Sequence, residues 1–169
     1  LFTYYDTVDE YTMGLEGYAR MDYLFRRVRK QSDDQKDLWV LLEDNVIRQR
    51  YFGTDMNLIE VKAGYAGYVN DYNSNDQVIK TTYMDAEWKP VRDNELQYAT
   101  IRYKYIGTSN AAPPVYEAYF NLEDKPCEST DGYYARKMEY SGPQMNLLVS
   151  ESFLDADGNE YTREVELFT

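Results

Sequence analysis

Read two residues at a time, several stretches of this chain separate apolar from polar side chains. Ala19, Met21, Tyr23 and Phe25 fall on one side of an extended strand, and Arg20, Asp22 and Leu24 on the other. Ala99, Ile101, Tyr103 and Tyr105 stand against Thr100, Arg102 and Lys104; Ala66, Tyr68 and Tyr72 stand against Gly67, Val69 and Asp71. A period of two with one apolar face is the pattern of a half-buried β-strand. A fourth stretch is rougher, because Arg136 interrupts the apolar side between Tyr134 and Met138. Turn-forming residues follow: Asn73-Ser74-Asn75-Asp76, Gly107-Thr108-Ser109-Asn110 and Ser141-Gly142-Pro143. Second strands are expected over Val78 to Met84, Val115 to Phe120 and Leu147 to Leu154, and a closing turn is clearest in Asp155-Ala156-Asp157-Gly158-Asn159.

The same elements recur in register. An aromatic landmark opens each unit in Tyr4-Tyr5-Asp6, Tyr51-Phe52-Gly53, Tyr83-Met84-Asp85, Tyr119-Phe120-Asn121 and Phe153-Leu154-Asp155, at spacings of 47, 32, 36 and 34 residues. A second landmark follows in Gly17-Tyr18-Ala19, Gly64-Tyr65-Ala66, Gln97-Tyr98-Ala99 and Gly132-Tyr133-Tyr134, with Leu167-Phe168-Thr169 in that slot of the last unit. Eight residues after each Gly or Gln stands another aromatic: Phe25, Tyr72, Tyr105 and Tyr140. Between the landmarks Lys89-Pro90-Val91 aligns with Lys125-Pro126-Cys127, and with Asn57-Leu58-Ile59 and Asn159-Glu160-Tyr161. The units run over 4–50, 51–82, 83–118, 119–152 and, in part, 153–169, within a single repeat-array domain. The first carries an insertion at 29–45, where Leu38 to Arg50 reads either as part of an extra hairpin or as a helix.

The expected fold is all-β: tandem antiparallel β-hairpin repeats of about 32–36 residues, as an elongated solenoid or a single extended sheet. A lone hairpin is marginal in water, so neighbouring units must bury one another's apolar faces. Tyr72, Tyr103, Tyr105, Tyr140 and Phe25 are assigned to that core.

Composition narrows the chemistry. The 169 residues hold 18 Lys+Arg, 30 Asp+Glu, no His, one Cys and 19 Tyr, for a net charge of −12. Histidine-based catalysis, zinc sites with imidazole or four thiolates, and internal disulfides are excluded. A surface this acidic repels phosphate backbones and anionic lipid, so neither nucleic acid nor direct membrane insertion is expected. The run Leu38-Trp39-Val40-Leu41-Leu42 is far too short to span a bilayer. No charged-then-apolar leader precedes it, and the chain opens on Leu1 rather than Met, as an excised piece of a longer protein would.

The aromatic-aromatic-acid openings and Gly-Tyr pairs, best seen in Tyr119-Phe120-Asn121 with Gly132-Tyr133-Tyr134 and in Phe153-Leu154-Asp155-Ala156-Asp157-Gly158, resemble the tandem aromatic hairpin modules of bacterial surface and secreted proteins. Cell-wall-binding (choline-binding), glucan-binding and toxin-type repeats are written in this style. The resemblance implies an extracellular or cell-surface array of β-hairpins. It carries over no choline site, because no Gly-Trp pair occurs here and the unit is longer.

Candidate chemistry follows from the periodic residues. Alternation places Tyr18, Tyr65, Tyr98 and Tyr133 on the polar face, one per unit, as a ladder on which sugars stack. Against this stands the commoner use of such rings, packing against the next unit. Asp155, Asp157, Asn159 and Glu166 occupy positions one, three, five and twelve of an EF-hand-like spacing, a calcium site that competes with a plain hairpin turn. Cys127 takes the slot of Val91 and reads as a small apolar residue; Trp88 reads as the cover of a loop. No pair of carboxylates stands out for acid/base work, and no catalytic residue is assigned. The expected function is recognition, without catalysis, of a cell-wall or other glycan or a protein partner along the tyrosine face. The alternative is a structural spacer in a larger bacterial protein.

Overall fold

In a computed structural model of the chain, described over residues 17–30, 38–142 and 147–161, every element is a strand. The nine are β1 (Arg20–Lys30), β2 (Leu38–Phe52), β3 (Gly67–Tyr72), β4 (Val78–Met84), β5 (Thr100–Lys104), β6 (Tyr116–Phe120), β7 (Ala135–Ser141), β8 (Leu147–Leu154) and β9 (Glu160–Tyr161). They follow chain order through one open antiparallel sheet, the second of the two expected architectures. The chain divides into two compact units, Leu1–Asp71 with Tyr83–Val91, and Tyr72–Thr82 with Arg92–Thr169.

In the first unit the described residues of the insertion form neither a helix nor an added hairpin. They lengthen the first one: Arg27 pairs with Leu41 and Lys30 with Leu38, beyond a bulge around Phe25 that absorbs a slip in register. The strand reading wins over the helix because the apolar positions of Leu38 to Arg50 have a partner strand to pair with. Pairing of Met21 with Tyr51 and of Tyr23 with Gln49, and then of Gln49 with Tyr68, sets these side chains on one face, as the alternation predicted. The other face holds Asp22, only 4% exposed, whose carboxylate is gripped by Arg50 at 3.0 and 2.6 Å. Gly67 is required where β3 crosses β2, since a Cβ there would collide with the Gln49 carbonyl.

In the second unit Ile101 pairs with Tyr119, Glu117 with Arg136 and Arg136 with Phe153, which defines one face. The opposite face carries Ala118, Ala135 and Leu154 with Tyr116 and Phe120 packed against them. Over it Arg102 lies 4.2 Å from the Phe120 ring and Lys104 lies 4.7 Å from Tyr116, so cations cover the aromatics that face water. The core is therefore thin. Ala66, Ala99, Ile101, Tyr119 and Met138 are buried, whereas Tyr72, Tyr103, Tyr105 and Tyr140, expected there, are half-buried. They lie toward the hairpin tips, where fewer neighbours cover them. Phe25, the fifth, has its side chain outside the described residues.

Candidate functional site

The site has to be built from its turns. Residues 53–57, 61–65, 73–77, 85–89, 121–125, 129–133 and 155–159 form the same device. The N–H of the first residue donates to the carbonyl of the fifth, and the N–H of the fourth donates back to the carbonyl of the first. The fourth residue is left-handed in each: Met56, Gly64, Asp76, Trp88, Asp124, Gly132 and Gly158. This is a type I turn closed by a left-handed residue, the common three-residue hairpin connection. Asn or Asp opens four of the seven because its side chain satisfies the amide of the fifth residue: Asn73 to Gln77 at 3.1 Å, Asp85 to Lys89 at 2.7 Å, Asn121 to Lys125 at 3.0 Å and Asp155 to Asn159 at 2.9 Å. At 93–98 the turn is one residue longer, which explains Gln97 in the glycine slot: it holds the left-handed position there.

These turns place the rings. Tyr65 and Tyr133 are the last residues of their turns and Tyr98 ends the longer one, while Tyr51, Tyr83, Tyr119 and Phe153 sit two residues before the next turn begins. The carbonyls of Tyr51, Tyr83 and Tyr119 accept the amides of Ile59, Val91 and Cys127 at 3.1, 3.0 and 3.0 Å, and Leu58, Pro90 and Pro126 form the adjoining bridges. The segments aligned by sequence are thus structurally equivalent. With their backbones pinned, the two landmark sets interleave into ring-on-ring spines. In the first unit Tyr18, Tyr51, Tyr65 and Tyr83 succeed one another at centroid separations of 4.8, 6.0 and 4.8 Å. In the second, Tyr98, Tyr119, Tyr133, Phe153 and Tyr161 do so at 4.7, 5.7, 4.6 and 6.4 Å.

All four tyrosines singled out by sequence therefore belong to a spine, but on the apolar face rather than the polar one. Tyr119 pairs with Ile101 and Tyr51 with Met21, so any ring stacked on them lies on that side of the sheet. A left-handed residue precedes each tyrosine, and alternation counted back from the strand does not survive it. Tyr98 and Tyr133 are 7% and 6% exposed; Tyr18 and Tyr65 are half-buried. Tyr51 and Tyr119, at 5% and 4%, are the members that sequence reasoning recorded only as landmarks. Their regular offset from the other set was the available signal.

The electrostatics suit packing. Burial pushes the Tyr119 and Tyr133 phenols above their ordinary value, and Tyr105 up to about 12. The Tyr119 hydroxyl donates to Glu117 at 3.3 Å and that of Tyr133 to Asp131 at 3.4 Å. Arg136 bridges Glu117 and Glu151, both at 2.8 Å. Burial alone would ease the proton off its guanidinium, but Glu117 outweighs that and holds it more firmly charged.

The calcium-like segment is one of the seven turns. Asp155 Oδ1 accepts the amides of Asp157 and Asn159, both at 2.9 Å, and its Oδ2 accepts the Asn159 side-chain amide at 3.1 Å. Those bonds hold the Asp155 carboxyl below the usual carboxylate range, the Asn159 amide first among them. Glu166, the fourth member, lies outside the described residues, as do Tyr4-Tyr5-Asp6 and Leu167-Phe168-Thr169. Among the described residues no three His, Cys, Asp or Glu side chains gather as metal ligands. Trp88 is half-buried in its turn with the Arg48 guanidinium 5.8 Å from its ring. Cys127 is also half-buried, its thiol pushed up by burial, and it lines an open cleft of about 590 Å³ with Arg92, Gln97, Asn121, Glu128 and Ser129. No described helix is long and apolar enough to cross a membrane. The chain matches no protein-family model, no curated protein and no solved structure.

Proposed function

We propose that this chain is a structural repeat segment of a larger surface or secreted protein, one that spaces and holds other parts, and that the tyrosine spine gives it cohesion. The burial of Tyr133 between Tyr119 and Phe153, and of Tyr98 against Tyr119, carries this reading. A sugar-stacking platform needs the face of each ring open to ligand, and here that face is occupied by the next ring. The bacterial, cell-surface setting rests on the resemblance of the landmark pattern to surface repeats.

A glycan array of the isolated chain, paired with thermal melts of Tyr98→Ala and Tyr133→Ala, separates this from recognition of a glycan. The spacer reading expects a blank array and a large fall in melting temperature for both variants. Saturable binding to one sugar class, abolished by Tyr133→Ala with an unchanged melt, would replace it with the glycan-binding reading.

A further inference from the structure

Acidic residues outnumber basic ones 30 to 18 in this chain, but one patch of sheet reverses the ratio. On the face of the second unit that carries Ala118, Ala135 and Leu154, two adjacent rungs cross the strands. One runs through Lys80, Arg102, Ala118, Ala135, Leu154 and Glu160. The next runs through Lys104, Tyr116, Lys137 and Ser152. These ten positions hold four cations and one acid. Lys80 stands directly across from Arg102, and Lys104 and Lys137 flank Tyr116. Like charges set opposite one another weaken a sheet, so strand pairing does not explain the arrangement.

The cations are open to a partner. The Arg102 and Lys137 side chains are 41% and 48% exposed, and Lys104 is exposed as well. Two acids reach in from the rim. Asp124 accepts from the Arg102 guanidinium at 2.6 and 2.8 Å, and Glu160 accepts from the Lys137 ammonium. Glu139 stands one rung further along β7, where its carboxylate accepts from the Ser150 hydroxyl at 2.9 Å. Among the described residues Lys104 has no carboxylate partner; its ammonium lies 4.7 Å from the Tyr116 ring. Asp124 and Glu160 are 63% and 54% exposed, and ion pairs that wet are worth little, so a competing carboxylate can replace either.

Complementarity calls for an anionic partner, and the rest of the face chooses among anions. A glycan would stack on open rings, but Arg102 and Lys104 already lie over Phe120 and Tyr116. Nucleic acid sets its charges about 1.7 Å apart along its axis, far denser than four cations can match. Arg102 and Lys104 are two residues apart on β5, about 6.6 Å, and same-side carboxylates of an extended peptide have that spacing too.

We infer that this face docks an extended polypeptide segment rich in Asp and Glu, whose alternate carboxylates pair with Arg102, Lys104 and Lys137 and displace Asp124 and Glu160. The net charge of −12 does not prevent this, because at physiological salt exposed charges more than about 8 Å apart are largely screened from one another.

Fluorescence anisotropy of a labelled peptide of alternating Glu and Ser, titrated with the 169-residue chain at several sodium chloride concentrations, tests this. Binding is expected to saturate and to weaken as salt rises. Lys104→Ala and Lys137→Ala should each weaken it about twofold to fivefold, the range of one exposed ion pair. Asp124→Asn should tighten it by a similar factor, since Asn suits the left-handed position at φ 59° and releases Arg102. Lys89→Ala, which removes an exposed cation in the turn 85–89, should leave binding unchanged. Circular-dichroism melts confirm that each variant is folded. No binding overturns the inference, and so does binding that both lysine variants leave untouched. Equal affinity for dextran sulfate, lost in the same variants, would overturn it in favour of an anionic glycan. Equal affinity for a peptide of alternating Lys and Ser would overturn it as well, because the acidic turns would then be holding the probe.

Discussion

The two ends of the strands in the second unit follow different rules. At one end the turns 121–125, 129–133 and 155–159 repeat a single hydrogen-bond scheme, and the rings of Tyr98, Tyr119, Tyr133 and Phe153 lie against their mouths. At the other end 73–77 keeps that scheme, but the β5–β6 and β7–β8 connections differ from it in length and sequence, carry no spine ring and expose Ile106 and Leu147. Constancy tracks burial. Where a turn must deliver a ring onto its neighbours, its left-handed residue is kept even when, as at 93–98, its length is not. Where a tip delivers no ring, neither has to be.

The largest effect should come from removing a spine ring. Tyr119→Ala is expected to cost about 3–5 kcal/mol, the usual loss for a buried aromatic; a urea titration showing less than about 1 kcal/mol would mean the rings stack without contributing stability. Next comes Arg136→Ala, which strands Glu117, itself 8% exposed, beside the spine. The loss of a buried pair's cation costs about 3 kcal/mol, and Glu117→Gln in the same background should restore part of it.

Alkaline pH probes buried phenols at both ends without mutation. Unfolded tyrosines titrate near 10.0, whereas burial raises Tyr103, Tyr119 and Tyr133 above that value and Tyr105 to about 12. The fold holds these phenols neutral, so their contribution is complete below pH 10 and is lost as pH rises through the folded values. Melts between neutrality and pH 12 should stay level at first and then fall, and the last part of the phenolate absorbance should appear only as the fold is lost. Complete phenolate absorbance with an unchanged melt would contradict the packing.

Smaller effects sharpen the contrast. Gly132→Ala forces a side chain into a φ of 84° and is expected to cost about 1 kcal/mol. Ile106→Ala, at a tip, should fall within about 0.5 kcal/mol of the parent. If the tip change proved as costly as the turn change, the division of labour between the ends would be wrong.

Much of the fold was legible because the strand signals are local. Alternation at Ala99 to Tyr105 and the recurring Gly-Tyr pairs report strand and turn within a few residues of themselves. What was not legible depends on contacts across strands. Nothing near Tyr98 in sequence says that Tyr119 will cover it, and alternation, followed one residue too far back, assigned its ring to the wrong face. In sequence Asn73-Ser74-Asn75-Asp76 reads as the turn between two strands and Asp155-Ala156-Asp157-Gly158-Asn159 as the one that closes a unit, although both are the same turn. The resemblance to a calcium loop has the same source: an Asp that caps backbone amides and an Asp that ligates a cation are written alike. The stretch from Leu38 to Arg50 fitted a helix in isolation, and only the partner strand β1 decides the matter.

One consequence of the strand order concerns how the chain reaches this state. Each strand pairs with the one just before it in sequence, so no pairing waits for a distant segment. Loop closure is short at each step, and the entropic barrier that slows most all-β proteins is correspondingly low. During synthesis each hairpin can form as soon as its second strand leaves the ribosome and can offer its turn-end ring to the next arrival. Acquisition of the native state is then a zipper that follows translation, and a chain interrupted after several units would keep the pairings that a neighbouring unit already covers.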